Sequence, residues 1–141
     1  MKEKKNVLFL CTGNSCRSQM AEGWARALKG SQFDFYSAGT KKHGLNPFAI
    51  EVMKECGIDL TKHTSKTTEE LGDLKMDVVI TVCSDAHENC PYFPGGKIIH
   101  HGFDDPPRLA KDLEHTEALV IYRRVRDEIK LFVEKIEEHL E

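Results

Sequence analysis

The sequence has no stretch approaching the ~18 consecutive apolar residues that cross a bilayer. Its longest apolar runs, such as Val7 to Cys11 and Val78 to Cys83, are strand-sized, so no membrane association is expected. An excess of positive charge is also missing. Twenty Lys and Arg stand against 23 Asp and Glu, for a net charge of -3, and the broad positive field that drives nonspecific nucleic-acid binding is therefore excluded. Any anion must be captured locally. The start, Met1-Lys2-Glu3-Lys4-Lys5-Asn6, is basic, but the apolar run after it is too short for a secretory signal and no small-residue cleavage site follows. A cytoplasmic protein is expected. Linkers, repeats and low-complexity segments are lacking too, which predicts one domain over residues 1–141. Cysteine, by contrast, is plentiful. Five in 141 residues is an odd number, which argues against a fully paired secreted framework and for reactive or core thiols.

Apolar residues run continuously from Val7 to Leu10, and a glycine-containing turn leads into Ser18 to Lys29, where Met20, Ala21, Trp24, Ala25 and Leu28 recur at helical spacing. Phe33 to Ser37 reads as a second strand. Asn46-Pro47 supplies an N-cap and first-turn pair for a helix stopped by Gly57. Thr67 with Glu70 fits a capping box for a short helix to about Leu74, and 77–82 is a buried strand rich in β-branched residues. Lys97-Ile98-Ile99-His100 makes a fourth strand, after which Pro106-Pro107 breaks the chain. From about Thr116, Leu119, Tyr122, Val125, Ile129, Phe132, Val133, Ile136 and Leu140 recur every three or four residues, predicting one long helix with its charges on a solvated face. The alternation implies an α/β fold: a single-domain, four-stranded parallel sheet with helices on both faces. Ligands in such sheets bind beyond the carboxyl ends of the strands.

Cys11-Thr12-Gly13-Asn14-Ser15-Cys16-Arg17-Ser18 occupies that position after the first strand. Backbone N–H groups of a loop opening a helix converge on a tetrahedral oxyanion. Gly13 allows the tight turn, and Arg17 offers a planar fork of donors for two oxyanion oxygens. Together with the helix N-terminus, Arg17 favours Cys11 as a thiolate nucleophile. The plain alternative is a buried structural cysteine beside a surface arginine. The loop is not a nucleotide-binding P-loop, because the Gly-Lys-Thr ending is absent.

This loop resembles that of the low-molecular-weight protein tyrosine phosphatase superfamily, whose cysteine attacks the oxyanion centre while the arginine grips its oxygens. Asp104-Asp105-Pro106 stands where that superfamily carries an Asp-Pro general acid, which makes Asp105 the implied proton donor. Without the loop, Asp104 and Asp105 would read as a turn pair before two prolines.

Cys83 ends the third strand and Cys90 follows seven positions later. The segment 84–89 between them reads as helical, with Ser84 or Asp85 as its cap and Pro91 as its stop. Seven residues of helix span ~10 Å along the axis, whereas a disulfide needs Cα atoms ~6 Å apart. A bond between the two would require this helix to unwind; otherwise both are buried hydrophobe-like thiols.

The whole constellation resembles the thioredoxin-coupled arsenate reductases. The match includes Cys11 to Arg26, Tyr36-Ser37-Ala38-Gly39, His43-Gly44-Leu45-Asn46-Pro47, Cys83 to Cys90-Pro91, Gly102-Phe103-Asp104-Asp105-Pro106 and Arg124-Val125-Arg126-Asp127-Glu128-Ile129. The resemblance implies reduction of arsenate to arsenite in arsenic detoxification, with Cys11, Arg17, Asp105, Cys83 and Cys90 as catalytic residues. Substrate would be bound by Thr12, Gly13, Asn14, Ser15, Cys16, Arg17 and Ser18. It further implies a Cys83 to Cys90 shuttle disulfide, thioredoxin as electron donor, a monomer, and no tightly bound cofactor or nucleic-acid partner. Cys16 and Cys56 receive no catalytic duty, and no familiar zinc spacing is present.

Three departures from the resemblance stand out. Relatives commonly carry Trp where His101 stands, and many carry Asp where Lys66 stands, at a position associated with potassium near Asn14 and Ser37. A lysine there repels or replaces that cation, so potassium as a cofactor is left open. Pro107 stands where tyrosine phosphatases usually place an aromatic residue for the substrate ring. The alternatives are a low-molecular-weight protein tyrosine phosphatase and a noncatalytic arsenite or metal sensor.

Overall fold

The computed structural model describes residues 4–83 and 96–140. Four strands, β1 (Lys5–Cys11), β2 (Phe33–Gly39), β3 (Val78–Thr81) and β4 (Lys97–His100), form a wholly parallel sheet in the order β2-β1-β3-β4. The helices are α1 (Arg17–Lys29), α2 (Pro47–Lys54), α3 (Pro106–Leu109), α4 (His115–Glu134) and α5 (Glu137–Leu140). All four strands lie where the apolar runs predict them. No helix among the described residues is long and apolar enough to cross a membrane.

β1 alternates between two cores, as the period of a strand requires. Val7, Phe9 and Cys11 face the larger one, with Met20 and Trp24 of α1, Val52 and Met53 of α2, and Tyr122, Val125 and Ile129 of α4. Leu8 and Leu10 face a smaller one with Ala38, Met76 and Val79, flanked by Leu71 and Leu74 beside the 3-10 helix Thr68–Leu71. The two faces are therefore covered unequally. The Trp24 indole N–H donates to the Arg126 carbonyl at 3.1 Å and ties α1 to α4.

Asn46 caps α2 through its side-chain oxygen, and Pro47 occupies the first turn, as the Asn-Pro pair predicts. Elsewhere the local details differ from expectation. Thr67 makes no side-chain bond to the helix backbone; its hydroxyl meets Glu70 instead, at 3.5 Å, and only a four-residue 3-10 helix forms. Pro106-Pro107 does not merely interrupt the chain: it starts α3, with Asp105 at the N-cap position, because a missing N–H costs nothing in a first turn. The C-terminal helix breaks at Lys135, yet Ile136 and Leu140 remain buried. Leu28 is 40% exposed rather than in the core. The segment read as a helix at 84–89, and Cys90 after it, lie outside the described residues.

In the sheet β1 is flanked by β2 on one side and β3 on the other. Successive connections thus leave its carboxyl end in opposite directions, which opens the crevice where this class of sheet binds ligands.

Candidate active site

Cys11 ends β1, and residues 12–16 turn into α1. Asn14 takes a positive φ of 47°, which asparagine tolerates better than most side chains. The neighbouring chain closes on this loop. Gly39 pairs with Cys11 at the end of β2, and a Cβ there would lie 2.5 Å from the Thr12 carbonyl and 2.9 Å from the Asn14 nitrogen. Only glycine fits.

The carbonyls of the loop are taken up on its outer side. Lys41 N–H donates to Thr12 O at 3.0 Å, His43 N–H to Gly13 O at 3.0 Å and Asn46 N–H to Ser15 O at 3.1 Å. The Gln19 amide donates to Asn14 O at 3.2 Å. In a trans peptide the C=O of one residue is antiparallel to the N–H of the next. Turning these carbonyls outward turns the N–H groups of Gly13, Asn14, Ser15 and Cys16 inward, toward a cavity of about 490 Å³ lined by Cys11, Thr12, Gly13, Ser15, Cys16, Arg17, His43, Asn46, Asp105 and Pro107. Inward N–H groups beside the N-terminus of a 13-residue helix make an oxyanion cradle.

Arg17 is 5% exposed. Its guanidinium donates to the Phe103 carbonyl at 3.1 Å and lies 3.5 Å from the Asp105 carboxylate. The 103–105 segment is thereby held over the loop, and the Asp104 carboxylate beside it is tied to Arg124 at 3.1 Å. His101 stacks on Phe103 with ring centroids 4.9 Å apart, against the edges of Phe132 and His139. It fills an aromatic niche, and burial lowers its pKa, with the nearby His139 and His100 adding to the effect.

Behind Cys11 lies a polar bed whose hydrogen bonds have a defined direction. The Gln19 Nε2 donates to the Asn14 and Thr64 carbonyls, so its Oε1 is turned to His63, 3.0 Å away, and the ring carries its proton on Nδ1. Asn14 Oδ1 accepts from Gln19 at 3.0 Å and from the Lys66 N–H at 2.7 Å. Asn14 Nδ2 therefore faces Ser18 and donates to its hydroxyl at 2.9 Å. The Ser18 hydroxyl also stands 2.9 Å from the Cys11 sulfur, and it is the donor of that pair when Cys11 is a thiolate. The run from His63 through Gln19, Asn14 and Ser18 thus leads link by link to the Cys11 sulfur.

Glu22, buried beneath this bed, would be costly without partners. Its carboxylate accepts from the Ser37 hydroxyl at 2.5 Å and pairs with Arg26 at 2.8 Å. Nearby, the Lys66 ammonium donates to the Ser37 and Thr64 carbonyls at 3.1 and 2.8 Å. Burial lowers the pKa of both Lys66 and His63, an effect opposed in each by Glu22. The lysine thus supplies a positive charge at the place where the sequence left a potassium site open. Among the described residues no group of three His, Cys, Asp or Glu side chains is disposed to hold a metal ion.

Cys83 is fully buried just beyond the end of β3. Leu10 pairs with Thr81 across the two strands, so Cys11 and Cys83 leave adjacent strand ends, and the Cys83 sulfur lies 4.0 Å from the Leu10 carbonyl. Cys83 is disulfide-bonded, while Cys11, Cys16 and Cys56 are free thiols. Burial pushes the Cys16 thiol up, beyond what Arg17 offsets, so it remains protonated. Cys56 is exposed at the end of α2.

The family model for low molecular weight phosphotyrosine protein phosphatase matches residues 6–141. The chain belongs to this family. Within the low molecular weight phosphatase family it is most informatively compared with arsenate reductases. One from Staphylococcus aureus is 50% identical over 134 residues, covering 94% of this chain and 96% of the relative. Another, from Halalkalibacterium halodurans, is 50% identical over 127 residues, covering 89% and 90%. A solved arsenate reductase in its phosphate-binding state superimposes with a TM-score of 0.79 at 32% identity, covering 97% of this chain and 99% of its own.

The structure brings Cys11, Thr12, Gly13, Ser15, Cys16, Arg17 and Asp105 around one cavity, with Asn14 and Ser18 directly behind it. Sequence reasoning assigned no role to His43, Gln19, Glu22 or His63, and gave Asn46 a helix cap but no place at the cavity. His43 sits in a segment recognised only as part of a resemblance. Gln19 and Glu22 are buried polar residues on α1, which periodicity assigns to the solvent.

Proposed function

We propose that this chain is a single-domain, monomeric cytoplasmic arsenate reductase that uses a three-thiol relay and is regenerated by thioredoxin. The observation that carries this reading is one cavity lined by Cys11, Arg17 and Asp105, with disulfide-bonded Cys83 at the neighbouring strand end. The high identity to arsenate reductases over nearly the full chain supports it.

Arsenate binds with its oxygens on the inward N–H groups and Arg17. The Cys11 thiolate attacks arsenic, Asp105 protonates the departing oxygen, and a Cys11–arsenic bond forms as water leaves. Cys83, entering as a reduced thiol, attacks the Cys11 sulfur. A Cys11–Cys83 disulfide forms, and the electron pair of the broken sulfur–arsenic bond passes to arsenic, converting As(V) to As(III). Two thiols supply the two electrons. Cys90 then attacks Cys83 and frees Cys11 as thiolate. Reduced thioredoxin, a dithiol, resolves the Cys83–Cys90 bond by exchange.

A low molecular weight phosphatase would use the same loop but needs neither Cys83 nor Cys90. Pro107 at the cavity wall, where an aromatic residue would stack on a phosphotyrosine ring, favours the smaller oxyanion. The test is arsenate-dependent NADPH oxidation with thioredoxin and thioredoxin reductase. Turnover that requires all three proteins is expected. Aryl phosphate hydrolysis without any arsenate-dependent NADPH consumption would establish the phosphatase instead.

A further inference from the structure

Asn46 lines the oxyanion cavity, and its backbone and side chain have separate tasks. The backbone N–H holds Ser15 O at 3.1 Å. The side-chain Oδ1 accepts from the N–H groups of Phe48 and Ala49 at 2.8 and 3.1 Å, capping α2. Those two donors fix the amide orientation, so Nδ2 must donate in the opposite direction, and there it meets the Tyr122 hydroxyl at 3.1 Å. Tyr122 comes from the middle of α4, is 2% exposed, and packs on Phe48 with ring centroids 5.0 Å apart. Burial pushes its pKa up to about 12, against the opposing effect of the Asn46 bond, with Cys16 and Asp105 adding smaller upward contributions. The hydroxyl therefore stays protonated and serves as the acceptor for Asn46.

We propose that Tyr122 is a positioning residue for oxyanion binding. By fixing the side chain of Asn46 it keeps the Asn46 N–H on the Ser15 carbonyl, which holds the Cys16 N–H turned into the cavity. The inference rests on the reading of the loop as an oxyanion site. Without the hydroxyl, the Nδ2 of half-buried Asn46 loses its acceptor on α4. The amide is then held by its capping bonds alone and can turn toward the cavity or another acceptor, which competes with those bonds. The strain falls on residue 46, and through it on one loop carbonyl.

Tyr122→Phe removes one oxygen and keeps the ring that packs the core. In the reduced full-length protein, titration calorimetry with inorganic phosphate is expected to show a Kd about five- to tenfold weaker than wild type. The KM for arsenate should rise equally, with kcat within about twofold, because the reacting groups are untouched. Asn46→Ala should weaken phosphate in the same way, and adding Tyr122→Phe to it should change nothing more. An unchanged phosphate affinity in Tyr122→Phe, with or without a lower Tm, would overturn the inference and leave a purely structural tyrosine. A loss in kcat at constant KM would overturn it as well. Wild-type protein that binds no phosphate would overturn the oxyanion reading and this inference together.

Discussion

Cys11 stands between two unlike neighbours. On the β2 side, Asn14, Ser18, Gln19, Glu22 and Ser37 are buried polar residues in a continuous hydrogen-bonded bed that includes His63 and Lys66. On the β3 side the surroundings are Val82, Phe103 and Cys83, all buried, and the sulfur of Cys83 is delivered by strand register. The polar flank has many directional bonds and holds one arrangement, which suits a site that must bind an oxyanion and stabilise a thiolate before substrate arrives. The apolar flank constrains Cys83 by packing. In the relay proposed above, Cys83 once reduced needs proximity and freedom to turn, and a rigid hydrogen-bond lattice would oppose that.

The sharpest way to separate the flanks is Cys83→Ser. Arsenate turnover with thioredoxin should fall by at least about a thousandfold, because no second thiol attacks the Cys11 sulfur to pass the sulfur–arsenic electron pair to arsenic, while phosphate affinity measured by calorimetry stays within about twofold. Loss of phosphate binding in this variant would show that the two flanks are not separable.

Ser18→Ala probes the polar flank at its last link. Losing a hydrogen bond to a charged sulfur costs about 1.5 kcal/mol, so kcat/KM for arsenate should fall about tenfold in steady-state assays. The rate of Cys11 alkylation by iodoacetamide at neutral pH should drop alongside it. An unchanged alkylation rate would mean that the chain of donors does not act on the sulfur.

One histidine lies on each flank, and both have pKa values lowered chiefly by burial. Above the unfolded value of about 6.5 both states are neutral and the full stability is present. As pH falls from there toward the folded values, the unfolded chain takes up protons first and stability declines. The urea midpoint of the reduced protein should therefore be lower at pH 5.5 than at pH 7.5. His63→Gln and His101→Phe should each flatten part of that slope, and a slope unaffected by either would place its origin elsewhere.

The smallest effect concerns the cation. With the Lys66 ammonium already on the Ser37 and Thr64 carbonyls, exchanging potassium for sodium at constant ionic strength should change arsenate turnover by less than about twofold. A severalfold drop without potassium would show that the lysine leaves room for the ion.

The apolar flank was the more legible in sequence, because strands are announced by runs such as Val7 to Leu10 and 77–82, and the thiols stand at their ends. The loop itself was legible too, since Gly13, Arg17 and the helix after them form a local pattern. The polar bed was not. Gln19 meets His63 from 44 positions away, Glu22 is buried on the same helix, and nothing local marks a polar helical residue as buried. The same holds for Tyr122, which periodicity assigned correctly to the core while giving no sign of the amide its hydroxyl would meet 76 positions away. The break at Lys135 was missed because Ile136 and Leu140 keep helical spacing across it.

The relay is tested most directly in a Cys90→Ser variant, reduced, freed of reductant, and mixed with one equivalent of arsenate in the absence of thioredoxin. Peptide mass spectrometry should find Cys11 linked to Cys83, with one arsenite released per chain. Arsenite released with Cys11 and Cys83 both still reduced, or no arsenite at all, would contradict a relay that starts at Cys11 and passes through Cys83.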